Sequence, residues 1–147
     1  MSQECPVKAV VTQQFGVSAE RVFDAWLDPT SIGRWMFGPT VRDEQIVRLA
    51  TEPRVGGRFS FVVRRQQKEV DHVGEYLEID RPKRLVFTWA TRDSLPDTSR
   101  VVVEIVPAGE GCTLTLTHEM GEAWKEFVDM AAGSWRLMLG KLAGFLA

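Results

Sequence analysis

Two cysteines, two histidines and one tyrosine in 147 residues leave little material for several common chemistries. Cys5 and Cys112 sit in neither a C-x-x-C nor a Cys/His spacing, so two reduced thiols in a cytoplasmic protein are expected, not a disulfide or a zinc site. A metal centre needs three or four converging ligands, and His72 and His118 are the only imidazoles, so neither a metal nor a cofactor is expected. There is no G-x-S-x-G elbow and no G-x-x-x-x-G-K phosphate loop; Gly56-Gly57 opens a strand, not a helix. No apolar run approaches the ~20 residues that span a bilayer, and Met1 to Pro6 has neither a basic nor an apolar leader segment. An excess of one charge is missing too. Lys plus Arg at 18 against Asp plus Glu at 20 gives a net charge of -2, which argues against nucleic acid or an anionic membrane as partner.

What is present is a globular composition, 44% hydrophobic and 26% charged, rich in tryptophan with five. The length fits one domain over 1–147, with 1–6 as a disordered tail. Val7 to Phe15 partly alternates apolar and polar residues and predicts a strand. Ser18 is the N-cap of a helix from about Ala19, whose stripe is Val22, Phe23, Trp26 and Leu27 and whose end is Asp28-Pro29. A second short helix runs to Trp35 with Pro29 at its start. A strand interrupted by charge is expected over Val41 to Thr51, followed by a turn at Glu52 to Gly57.

From Arg58 the pattern predicts a meander. Arg58 to Arg64, Val70 to Ile79, Arg84 to Ala90, Arg100 to Val106 and Cys112 to His118 are short strands joined by tight turns, hence antiparallel. The Thr91 to Thr98 connection is the longest and is expected to be mobile. Tyr76 and Glu78 share a face with His72, while Val73, Glu75, Leu77 and Ile79 take the other. Leu114, Leu116 and His118 point inward, opposite Thr113, Thr115 and Thr117. Glu122 to Ala147 reads as one long amphipathic helix carrying Trp124, Phe127, Trp135, Met138, Leu139, Leu142, Phe145 and Leu146. Strand, two short helices, meander and long helix make an α+β layer arrangement.

The blocks Val22-Phe23-Asp24-Ala25-Trp26-Leu27-Asp28-Pro29, Arg34-Trp35 with Gly38-Pro39, and Val55-Gly56-Gly57-Arg58-Phe59 follow one another in order. Gly74-Glu75-Tyr76-Leu77-Glu78-Ile79, Pro82 to Trp89 and Leu114-Thr115-Leu116-Thr117-His118 continue the series. In this order the chain resembles the helix-grip fold of the START-like (SRPBCC) superfamily and, within it, bacterial homologues of the heat-shock-chaperone ATPase activator. The resemblance implies a curved antiparallel sheet wrapped around the C-terminal helix, with an apolar cavity between them that takes a hydrophobic small molecule or lipid. Some relatives instead catalyse cyclisations, and others bind a protein, so the fold does not select among these.

Combined with the strand parities, the resemblance makes Trp26, Trp35, Phe59, Phe61, Phe87, Trp89, Trp135 and Leu139 the walls of a ligand cavity. Tyr76 and His118 are its hydrogen-bonding handles. The alternative is a cyclase or hydrolase using His118 with Glu75, Glu78 or Glu119. A chaperone partner and a homodimer are further alternatives. The arginines at Arg64-Arg65 and Arg81 to Arg84 fall at turns and read as solvated surface.

Overall fold

The computed structural model describes residues 7–147; the expectations for the 1–6 tail and for Cys5 lie outside the described residues. The chain begins on one edge of a seven-stranded sheet with β1 (Val7–Phe15) and crosses to the opposite edge through α1 (Ala19–Asp24) and α2 (Pro29–Trp35). It then returns strand by strand through β2 (Gln45–Thr51), β3 (Arg58–Arg65), β4 (Lys68–Asp80), β5 (Arg84–Thr91), β6 (Ser99–Ala108) and β7 (Gly111–Met120). All pairings are antiparallel, and β7 closes onto β1 in the order β1-β7-β6-β5-β4-β3-β2. A 3-10 segment, Glu122–Phe127, leads into α3 (Val128–Leu146), which lies across the inner face of the curved sheet.

β7 shows why the chain takes this form. Its residues alternate strictly, with Leu114 and Leu116 fully buried and the intervening threonines half-exposed, as a sheet with one covered face requires. β6 meets it with Val101, Val103 and Ile105 on the same face. α3 answers with Trp135, Met138, Leu139, Leu142 and Leu146, a stripe at helical spacing that is buried throughout. Each such side chain contributes about 1.5–3 kcal/mol relative to exposure.

The short helices start where their caps require. Ser18 Oγ accepts from the Arg21 amide at 3.3 Å, and Asp28 caps α2 through the Thr30 amide at 3.2 Å with Pro29 in the first turn. α1 is shorter than the apolar stripe suggests. It ends at Asp24, and the Trp26 and Leu27 amides bond three residues back in tight turns before the proline. Val41 to Glu44 is likewise not strand: the Val41 and Arg42 amides both turn onto the Gly38 carbonyl, so only Gln45–Thr51 joins the ladder.

Two corrections change which residues face the core. A β-bulge between Tyr76 and Glu78 reverses the parity of β4, because one extra residue moves every following side chain to the other face. Ile79 therefore packs on the core, and Glu78 points outward to Arg84, 3.1 Å away. The C-terminal segment is also not one α-helix. Trp124 and Phe127 fall three apart, the repeat at which 3-10 side chains eclipse, and their rings meet at 5.4 Å. Both are 42% exposed, and Phe145 at the other end is 43% exposed, so the buried stripe is narrower than the apolar pattern.

Candidate functional site

The inner face of the sheet divides lengthwise. In its middle, Trp26 from the turn after α1 meets Trp35 edge to face at 4.6 Å and stacks near Trp135 of α3 at 6.0 Å. Phe59, Phe61, Tyr76, Phe87 and Trp89 complete the aromatic layer, and the void they and Trp26 surround is only about 10 Å³. Gly74 makes this packing possible, since a Cβ there would stand 2.4 Å from the Phe59 ring and 2.0 Å from the Thr88 carbonyl oxygen. Trp35 and Leu139 are fully buried in the same core, and the Trp35 indole N–H donates to the Ala25 carbonyl at 3.1 Å.

Beyond Trp89 and Trp135 the chamber opens into a cavity of about 370 Å³, within the range of small-molecule sites. It lies where β3, β5 and β7 end and β4 and β6 begin. α3 covers it with Met130, Ala131, Ser134, Trp135 and Met138, and Trp124 and Phe127 form the outer rim. Of the ten residues expected to hold a ligand, Trp89, His118 and Trp135 line this cavity. Trp26, Phe59, Phe61, Tyr76 and Phe87 surround the small void, and Trp35 and Leu139 belong to the packed core. Glu75, Glu78 and Glu119 do not line the cavity; Glu119 is held outside by Arg100 at 2.6 Å. Two depressions of about 500 and 510 Å³ mark the outer sheet face, but they are more open and bordered by Glu52, Arg58, Glu69 and Arg92. The cavity under α3, whose exposed lining is mostly apolar, is the better ligand site.

His118 is held by two groups, one on each ring nitrogen. The Trp135 indole N–H donates to its Nδ1 at 3.1 Å, so Nδ1 carries the lone pair and Nε2 the proton. Nε2–H then donates to Ser99 Oγ at 2.7 Å, and the Ser99 hydroxyl donates to the Trp89 carbonyl at 2.8 Å. Burial lowers the His118 pKa to about 4; a second ring proton would face the Trp135 N–H. Both nitrogens of His118 are thus engaged by the protein, and the ring orients two cavity walls, Trp135 and Trp89. His72 is different. Its Nδ1 donates to the Phe61 carbonyl at 3.3 Å, which leaves Nε2 as an acceptor. Burial first, opposed by that hydrogen bond and by the Glu44 charge, lowers its pKa to about 4, with the Arg65 and Arg42 charges adding to the fall.

Phe37 and Arg65 also line this cavity and were not among the residues expected to do so. Phe37 follows α2 with no periodicity to mark it, yet its ring contacts His72 at 4.5 Å and stacks near Trp89 at 6.2 Å. Arg65 is not simply solvated surface. It shares the parity of Phe59, Phe61 and Val63 on β3, a signal that was available, and reaches into the cavity lining. With Arg42 it pairs to Glu44, whose carboxylate is completely buried.

A curved antiparallel sheet closed by a C-terminal helix, packed at one end and hollow at the other, defines the helix-grip class of START-like (SRPBCC) proteins. The chain belongs to the Activator of Hsp90 ATPase homolog 1-like family, whose model matches residues 16–147. No curated protein is a significant sequence relative. Among solved structures, protein CV1439 from Chromobacterium violaceum is similar at 22% identity and TM-score 0.80, over 95% of this chain and 96% of that one. Protein NE0264 from Nitrosomonas europaea is similar at 17% identity and TM-score 0.82, over 98% and 96%. DynU16, a protein in the dynemicin biosynthetic locus, is similar at 16% identity and TM-score 0.74, over 95% and 46%. At these identities the likeness shows the fold. No helix among the described residues is long and apolar enough to cross a membrane.

Proposed function

We propose that the protein binds one hydrophobic or amphipathic small molecule at the open end of the chamber, between the sheet and the start of α3. The observation that carries this reading is the 370 Å³ cavity with large apolar side chains around its mouth. Trp124 and Phe127 are 42% exposed and Met130 68% exposed, beside a floor of Trp89, Trp135 and Phe37. An apolar rim of this kind continuous with an apolar cavity is the surface a ligand desolvates on entry. The likeness to a protein of the dynemicin biosynthetic locus adds the fold and no substrate.

Binding is read by native mass spectrometry and tryptophan quenching with a panel of lipids and aromatic metabolites, since Trp89, Trp124 and Trp135 all report from the walls. Saturable binding at one equivalent is expected, and Ala131→Phe, which fills the cavity from α3, abolishes it while the far-UV circular dichroism stays unchanged. No saturable binding across the panel, or equal binding by the filled variant, would sink the reading.

A further inference from the structure

The two cationic side chains that line the cavity, Arg42 and Arg65, converge on one carboxylate, that of Glu44. Glu44 is buried behind the two arginines, and both of its oxygens are taken. Oε1 accepts from Arg65 Nε at 2.9 Å and Nη2 at 2.6 Å, and Oε2 accepts from the Gly38 amide at 2.8 Å and from Arg42 Nη1 at 3.1 Å. Arg42 Nη1 also donates to the Met36 carbonyl at 2.9 Å, and its guanidinium lies over the Phe37 ring at 5.6 Å.

One carboxylate therefore faces two cations, and one positive charge is left over. A guanidinium has five N–H groups, and each of these two has used two of them on the protein. Both arginines line the cavity and are partly exposed, at 23% and 35%. Among the described residues, the only other charged one in that lining is Asp97, which is exposed on the β5–β6 connection where water screens it. His72 and His118 are neutral at ordinary pH and add no charge. Glu44 works as a buried clamp: it fixes the planes of two guanidiniums, so little side-chain freedom remains to be lost when they meet a ligand.

We propose that the ligand is an amphipathic anion, its carboxylate, sulfonate or phosphate group on Arg42 and Arg65 and its apolar body against Trp89, Trp135 and Met138. This deepens the binding reading and rests on it. The geometry suits an oxyanion because guanidinium N–H groups arranged in a plane donate to two oxygens at once, and the walls beyond them carry no second cation.

The test compares decanoate with decanol at neutral pH, by tryptophan quenching, in the wild type and in two variants. The wild type binds the acid about tenfold more tightly than the alcohol, the size of a hydrogen bond to a charged group. Glu44→Gln removes the compensating negative charge and widens that ratio; Arg65→Gln removes the surplus positive charge and narrows it toward one. Both variants disturb the same buried cluster, so general loosening would move both ratios the same way, whereas charge moves them apart. If Arg65→Gln does not fold, the wild-type and Glu44→Gln ratios decide. Equal affinity for acid and alcohol in the wild type, or a Glu44→Gln ratio below it, overturns the inference. If neutral molecules bind saturably and decanoate does not, the anion inference falls and the cavity reading stands; if nothing binds, both fall.

Discussion

The two ends of the chamber under α3 are built from the same residue types and behave differently. At the C-terminal end, Leu139, Leu142 and Leu146 belong to one buried core with Val22, Phe23, Leu85 and Leu114. At the N-terminal end, Met130, Phe127 and Trp124 have no such partners and border open space. Aromatic and aliphatic content therefore does not distinguish a core from a binding cavity; what does is whether a second layer meets the first. α1 and α2 supply that layer at one end, and nothing in the described chain supplies it at the other.

The sharpest way to break this comparison is to truncate one residue from each end. Leu139→Ala leaves a hole in close-packed surroundings and is expected to cost about 2–5 kcal/mol. Met130→Ala removes atoms that are mostly in water and is expected to cost within about 0.5 kcal/mol. Urea unfolding followed by tryptophan fluorescence measures both. Similar losses at the two sites would mean that the open end is as tightly packed as the other.

The next effect is on pH. His72 and His118 both titrate near 4 when folded, against about 6.5 when unfolded. As pH falls below 6.5 the unfolded chain takes up protons first, so each histidine lowers stability progressively down to about pH 4. Their contribution is fully present above 6.5. The change is about 3 kcal/mol for each. His118→Asn keeps an acceptor for the Trp135 indole and removes the titration. Its stability deficit relative to wild type should shrink between pH 7 and pH 4, as chemical denaturation at several pH values will show. A constant deficit would place the titration elsewhere.

How much of this was readable beforehand follows from where the determinants lie in the chain. β7 declares itself, because Leu114, Leu116 and His118 alternate with three threonines in one run, and the same holds for Ser18 and Pro29 at the helix starts. The bulge after Tyr76 does not, because an extra residue carries no composition of its own; only the partner strand reveals it. The polar end of the cavity was the least legible part. Glu44 and Arg65 are 21 residues apart, one in a loop and one at a strand end, and an Arg-Arg pair at a hairpin resembles solvated surface until the fold brings a buried carboxylate beside it. Parity places Arg65 inward, but parity at a strand end is easily discounted beside a turn.

The smallest effect concerns the boundary between the two ends, where Trp26 and Trp35 sit against each other. Both are buried, yet the Trp35 indole N–H is bonded to the Ala25 carbonyl and the Trp26 indole N–H has no partner among the described residues. A buried donor left unpaired is unfavourable by about 1–3 kcal/mol. Trp26→Phe gives up ring volume but also removes that donor, whereas Trp35→Phe gives up the same volume and strands the Ala25 carbonyl. Trp35→Phe should therefore be the more destabilising by about 1–2 kcal/mol in urea unfolding. Equal losses would mean that Trp26 Nε1 is satisfied in solution. The void of about 10 Å³ beside it is close to the least volume that holds one water, so that result would extend the polar interior one step past Trp89, into the closed end.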